Sequence, residues 1–228
     1  MQQIIPGFIF STQPVLDLIP SSELKLLREH LRVKKINKGK ELFREGSYPK
    51  NVYIIKRGRV KIFQRGQSGA ETIVHIHGTG EILGYRSLLC GENYAVTAQA
   101  IEEGAVYYLS AKQFLAVLRQ SVSLSNILLR ELSKEFILLV NKIGAFAQKS
   151  VRERTALSLL ILSEKYRRIQ AKGETEIALS RYDLAAFVGT TIETIARILR
   201  RFREENIITL RGRRIIIRDR QALARIAD

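Results

Sequence analysis

Glu193 and Arg197 stand four residues apart in a stretch whose apolar positions, Ile195, Ile198, Leu199 and Phe202, recur at helical spacing. Both charged side chains therefore fall on one face near the start of a helix. A guanidinium donates two hydrogen bonds to the acceptor edge of guanine and a carboxylate accepts one from cytosine, so this pair carries the chemistry of base reading in a DNA major groove. A second use competes for the carboxylate. Thr190-x-x-Glu193 has the spacing of a capping box, which would turn Glu193 onto backbone; with Thr191 as the cap, Glu193 moves one position earlier and is freer to point outward. A few residues on, Arg211-Gly-Arg213-Arg214 separates two short apolar runs and reads as a basic hairpin turn suited to phosphate contacts.

Elsewhere the residues able to do chemistry are sparse. His75 and His77, two apart on a strand, share a face, but with no third ligand evident nearby they read as a structural pair, and no metal site is expected. Cys90 is the single cysteine, which rules out an intramolecular disulfide and a four-cysteine cluster; a packed or loop thiol stands beside a redox switch as its reading. The histidines lie in the N-terminal third without the spacing of a base and its orienter, so no catalytic constellation is visible and the chain does not read as an enzyme.

The elements that hold these residues follow from composition and periodicity. A chain of 228 residues, 46% hydrophobic, can bury a sizeable core. Lys and Arg number 38 against 22 Asp and Glu, a formal +16 that favours nucleic acid or an acidic membrane surface. Residues 149–228 hold 18 of the basic and 10 of the acidic residues, nearly doubling the net basic density there. Neither a signal peptide nor an apolar run near the roughly 20 residues of a membrane span is read, and with one cysteine the chain is expected to be cytoplasmic with no membrane association.

Residues 15–32 carry helical spacing, with Ser21 or Ser22 as caps, and lead into a basic stretch from Arg32 to Lys40. Short strands follow at Val52–Lys56, Arg59–Phe63, Thr72–His77, Tyr94–Ala100 and Ala105–Leu109, separated by glycine turns, a pattern of barrels, rolls and sandwiches. After Ser110 the pattern turns helical: Ala111–Leu118, then a long helix from about Ser123 to Gln148. Leu124, Leu128, Leu132, Phe136, Leu139, Ile143 and Phe146 form one apolar stripe along it, covered either by its own domain or by a second copy of the chain. The remainder reads as a helix from Arg152 to Arg168, a turn containing Gly173, a helix from Arg181 to Val188, Gly189, a helix from Thr191 to Glu205, and a hairpin from Ile207 to Ile217.

These residues resemble the CRP/FNR superfamily of bacterial transcription regulators over nearly the whole chain. The signature is Ser180-Arg181-x-Asp183-Leu184-Ala185-x-x-Val188-Gly189-Thr-x-x-Glu193-Thr194-Ile195-x-Arg197-x-Leu199-Arg200, then Asn206-Ile-Ile208 and the wing; in the N-terminal half it is Gly39-Lys-Glu-Leu-Phe-Arg-Glu-Gly46, Val52 to Gly58, and Gly80-Glu-Ile-Leu-Gly84. The resemblance implies an α+β fold: a double-stranded, jelly-roll-like β-roll effector domain of the cyclic-nucleotide-binding type over residues 1–120, a dimerisation helix over 121–148, and a winged helix-turn-helix over 149–228. It implies base reading by Ile192, Glu193 and Arg197, and phosphate contacts from Ser180, Arg181, Thr191, Arg200, Arg201, Arg211 and Arg213. It also implies a homodimer on a two-fold-symmetric double-stranded DNA site, a dimer seam at Leu128, Leu132, Phe136, Leu139 and Ile143, and contact with RNA polymerase.

The effector pocket falls on Gly84, Tyr85, Arg86, Ser87, Tyr94 and Ala95. Where nucleotide-binding members place a Glu for ribose, an Arg for the cyclic phosphate and a Ser, this sequence has Tyr85, Tyr94 and Ala95. A phenol cannot replace a guanidinium as counter-charge to a buried phosphate, so a cyclic nucleotide is not expected and the effector is unknown. Arg86 is the alternative phosphate partner, beside the reading that it is a solvated surface side chain. A cyclic-nucleotide-binding module without DNA function is the competing reading, and the segment from Ser180 to Ile217 argues against it.

Overall fold

The computed structural model describes residues 13–166 and 175–228, together with Phe8, and divides the chain into two compact units, one comprising Ser11–Lys134 and the other Met1–Phe10 with Glu135–Asp228. The first unit runs α1 (Val15–Leu18), α2 (Ser21–Arg28), β1 (Arg32–Ile36), β2 (Glu41–Phe43), β3 (Asn51–Arg57), β4 (Val60–Arg65), β5 (Glu71–His77), β6 (Ile82–Leu83), α3 (Tyr85–Cys90), β7 (Thr97–Ala100), β8 (Gly104–Ser110) and α4 (Ala111–Gln120). Helix α5 (Val122–Gln148) begins in this unit and ends in the other.

Two antiparallel four-stranded sheets, ordered β1-β8-β3-β6 and β2-β7-β4-β5, make the β-roll. Strand β3 is buried on both faces, and its alternation divides the core in two. Tyr53 and Ile55 join Ile36, Val60, Ile62, Leu83 and Val106 in one cluster, while Val52 and Ile54 join Leu24 and Leu27 of α2, Phe114 of α4 and Leu124 of α5 in the other. Full burial of each such aliphatic side chain contributes about 1.5–3 kcal/mol. The start of α5 is fixed by a carboxylate: Glu23 accepts from the Ser121 hydroxyl, from the Ser123 amide at 3.2 Å and from the Ser123 hydroxyl at 2.8 Å.

Several expectations are corrected here. The cap of α2 is Pro20 and not Ser21 or Ser22; its fixed φ suits a helix start, and no side chain bonds the first amides. The basic stretch is an edge strand, β1, whose Arg32–Lys35 are exposed while Ile36 is buried. Tyr94 and Ala95 lie before β7 and outside it. Leu128 is only 2% exposed and Leu132 half-buried, because both pack into the helical cluster of their own unit and do not belong to a solvent-facing stripe. The exposed large apolar residues of α5 are instead Val122, Leu129, Phe136, Ile137, Leu139, Val140, Ile143 and Phe146.

The second unit continues from the end of α5 through α6 (Val151–Tyr166), β9 (Glu176–Ala178), α7 (Arg181–Val188), α8 (Ile192–Glu204), β10 (Ile208–Arg211), β11 (Arg214–Ile217) and α9 (Arg220–Ala227). Its sheet has the order β10-β11-β9. The end of the helix expected to reach Arg168, and the turn at Gly173, lie outside the described residues. No helix among the described residues is long and apolar enough to cross a membrane.

Candidate nucleic-acid interface and effector site

Helix α7 starts at Ser180, whose hydroxyl accepts from the Asp183 amide at 2.9 Å and donates to the Asp183 carboxylate at 2.6 Å. It ends at Gly189, with φ 73°, a left-handed conformation that favours glycine. Helix α8 then starts at Thr191, whose hydroxyl accepts from the Thr194 amide at 3.2 Å. The cap is therefore Thr191, and the capping box from Thr190 does not form. Glu193 stays at the surface, where its own amide and the Thr191 hydroxyl hold its carboxyl below the usual carboxylate range. Along α8, Ile195, Ile198, Leu199 and Phe202 are buried, as are Leu184, Ala185 and Val188 of α7. Ile192, Glu193, Arg197, Arg200 and Arg201 are exposed.

The wing is β10 and β11 joined at Gly212–Arg213, with Arg211 opposite Arg214. All four residues of Arg211–Arg214 are exposed. Arg214 is engaged by Glu176 of β9 at 2.8 Å. Arg181, expected as a phosphate contact, is only half exposed: one guanidinium nitrogen lies 3.5 Å from the Gly212 carbonyl, the other terminal nitrogen is buried without a partner, and burial lowers its pKa. Its side chain leans on the wing instead of standing free in solvent. Arg154 is a residue that sequence reading missed. Its guanidinium donates to the carbonyls of Lys149 at 2.9 Å, Val188 at 3.3 Å and Gly189 at 3.2 Å, tying the segment after α5 to the turn between α7 and α8. The Phe146 ring lies against Gly189, where a Cβ would collide with it.

The expected effector residues have different surroundings. Tyr85 is fully buried in the helical cluster of the β-roll. Tyr94 faces a different set of residues: its ring stacks on Phe43 at 3.9 Å and its hydroxyl donates to the Asn51 carbonyl at 3.1 Å. Burial raises the Tyr94 pKa, so the phenol stays neutral. Gly84, with φ 85°, meets Tyr94 closely: a Cβ there would stand 3.1 Å from the hydroxyl. Arg86 is half-buried, its guanidinium 5.8 Å from the Tyr85 ring centre; Ser87 is half-buried and Ala95 exposed. A groove of about 560 Å³ in this unit is lined elsewhere, by His30, Arg32, Asn51, Tyr108, Lys112 and Gln113 among others.

Two family models match the chain: a cyclic nucleotide-binding domain over residues 33–121 and a Crp-like helix-turn-helix domain over residues 153–226. The chain belongs to the CRP/FNR family of transcription regulators. It is similar to the fumarate and nitrate reduction regulatory protein of Yersinia pestis, 29% identical over 197 residues covering 86% of this chain and 78% of that one. Its fold is that of FixK2 from Bradyrhizobium japonicum, with a TM-score of 0.77 at 23% identity over 87% and 98% of the two chains. It is likewise that of CLP from Xanthomonas campestris, described as a c-di-GMP-responsive regulator, with a TM-score of 0.73 at 20% identity over 88% and 100%. As a CRP/FNR regulator the chain is a DNA-binding protein and not an enzyme.

One expectation outside the DNA-binding half is overturned. His75 and His77 do have a third potential ligand beside them: Glu81, whose carboxylate is 3.0 Å from His77 Nδ1 and 3.8 Å from His75 Nε2. The turn between β5 and β6 brings it there, a reversal that strand periodicity does not reveal.

Proposed function

We propose that this CRP/FNR regulator acts as a homodimer, reading a two-fold-symmetric DNA site with Ile192, Glu193 and Arg197 of α8 and gripping phosphates through Ser180, Thr191, Arg200, Arg201, Arg211 and Arg213. The observation that carries this reading is the outward face of α8, whose Glu193 and Arg197 are exposed opposite a fully packed apolar stripe and beside a basic wing. Arg181 holds the wing and takes a lesser part in phosphate contact. The exposed row Phe136, Leu139, Val140 and Ile143 supports a seam between two copies, since monomers rarely expose so long an apolar face. On this reading residues 1–120 are the effector region, 121–148 the dimer helix and 149–228 the DNA-binding region, with RNA polymerase as a further partner by family likeness.

The β-roll controls spacing of the two DNA-binding regions through an effector other than cyclic AMP or cyclic GMP. A buried cyclic phosphate needs a positive partner, and the residues at the expected positions are a neutral Tyr94 stacked on Phe43, an exposed Ala95 and a Tyr85 committed to the core. Titration calorimetry of the purified protein with both nucleotides should give no heat of one-per-subunit binding in the micromolar range. Micromolar binding abolished by Arg86→Ala would overturn this and make Arg86 the phosphate clamp. For the DNA clause, protein bound to a duplex carrying its site should resist competition by random-sequence DNA; equal competition by the two would remove it.

A further inference from the structure

We propose that His75, His77 and Glu81 form a binding site for one divalent first-row transition-metal ion, of the class that zinc(II) and iron(II) represent. The three donors belong to a stretch of only seven residues. His75 and His77 are alternate residues of β5, an edge strand, and so project from the same face. The chain then reverses through Gly78, Thr79 and Gly80, the Glu81 amide donating to the Gly78 carbonyl at 3.2 Å. The backbone at Glu81 is fixed by hydrogen bonds to β3: the Ile55 amide donates to the Glu81 carbonyl at 3.0 Å, and the Gly80 amide donates to the Ile55 carbonyl at 2.7 Å.

One ligand atom from each residue falls within 4.8 Å of the others, and the carboxylate oxygen lies 3.0 Å from His77 Nδ1 and 3.8 Å from His75 Nε2. Tetrahedral coordination at metal–ligand distances of roughly 2.0–2.2 Å sets neighbouring donors about 3.3–3.6 Å apart, so small side-chain rotations suffice to close the site. The two rings meet edge to face, 4.7 Å between centres, which keeps them from stacking over the position an ion would take. Two imidazoles and a carboxylate suit zinc(II) or iron(II), leaving a coordination position for water or a small ligand; magnesium and calcium prefer all-oxygen sites.

His77 is the most buried of the three donors. It is 1% exposed, and its Nε2 is buried with no hydrogen-bond partner. The nitrogen that faces Glu81 is Nδ1, so an ion would take Nδ1, and Nε2 lies on the other side of the ring. His75 and Glu81 keep 14% and 13% of their side chains exposed, so an ion has a path from solvent to the buried ring. Because Glu81 directly precedes β6, and Gly84 and α3 follow, an ion here would tie the end of one sheet to the segment entering the expected effector region. The inference does not depend on the DNA reading.

The test uses the untagged full-length protein, stripped with chelator and dialysed. Zinc(II) titrated against a chromophoric competitor, and iron(II) titrated without oxygen, should each reveal one site per chain. Cobalt(II) in their place should give visible ligand-field bands of a four- or five-coordinate site. His75→Ala and Glu81→Gln should each weaken zinc binding at least tenfold, and zinc should raise the melting temperature of the wild type but not that of Glu81→Gln. Circular dichroism of these two partly exposed variants establishes that they fold, so an unfolded His77→Ala would not decide the matter. Absence of stoichiometric binding by any of these ions, or affinity unchanged in both variants, overturns the proposal in favour of a metal-free His–Glu hydrogen-bonded turn.

Discussion

Thr191 taking the cap of α8 leaves Glu193 in the first turn with its carboxylate at the surface, one turn from Arg197. The consequence is measurable at individual base pairs. Arg197→Ala and Glu193→Ala should each relax preference at one or two base pairs per half-site, costing about 1–3 kcal/mol on the specific duplex and little on random DNA. Equal losses on both would make Arg197 a phosphate contact and remove Glu193 from base reading. Glu23 gives a residue-scale prediction for stability. Hydrogen bonds from Ser121 and Ser123 hold its carboxyl below the usual carboxylate range, so its contribution is present above the ordinary carboxylate pKa and is lost as pH falls through the lowered one. The melting temperature gap between wild type and Glu23→Gln should therefore be open at neutral pH and close in acid; a gap independent of pH would contradict this. At this scale sequence placed Glu193 and Arg197 on one exposed helix face, because one helical period puts them together, and missed Glu81 and Arg154, whose partners are met through chain reversals.

Among the elements, α8 and the wing were legible because helical period, cap and turn chemistry all point the same way. Strands β2, β6 and β9 were not, being two or three residues long with too few alternations to register. Nor was β1, since a sheet edge tolerates exposed Arg and Lys that read only as a basic stretch. The stripe on α5 was read with one period along its whole length, whereas Leu128 and Leu132 serve the β-roll core and Phe136 to Ile143 remain exposed: a helix can change partners along its length without changing its periodicity. The wing carries its own prediction. Arg211 and Arg213 flank Gly212 on the exposed turn, so Arg211→Ala and Arg213→Ala should weaken binding to all sequences alike and each reduce the slope of log affinity against log salt by roughly one unit. A change in base preference with the slope intact would assign them to base reading.

For the whole molecule, the proposed function requires two copies of this +16 chain to present their α8 helices at a fixed separation. On that proposal, one recognition helix offers few base contacts, and a pair joined along the exposed row of α5 doubles them while fixing their spacing. The sequence reading divided the chain at residues 120 and 148, whereas the two compact units divide inside α5, between Lys134 and Glu135, where no glycine or proline breaks the helix. The central claim is best tested by selecting duplexes from a random-sequence pool with the purified full-length protein. Wild type should enrich inverted half-sites about one helical turn, roughly 10 base pairs, apart, and Leu139→Glu, which places a charge in the exposed apolar row, should lose that pairing. Enrichment of a single unpaired half-site, no enrichment over random DNA, or paired sites unchanged in Leu139→Glu would contradict the account.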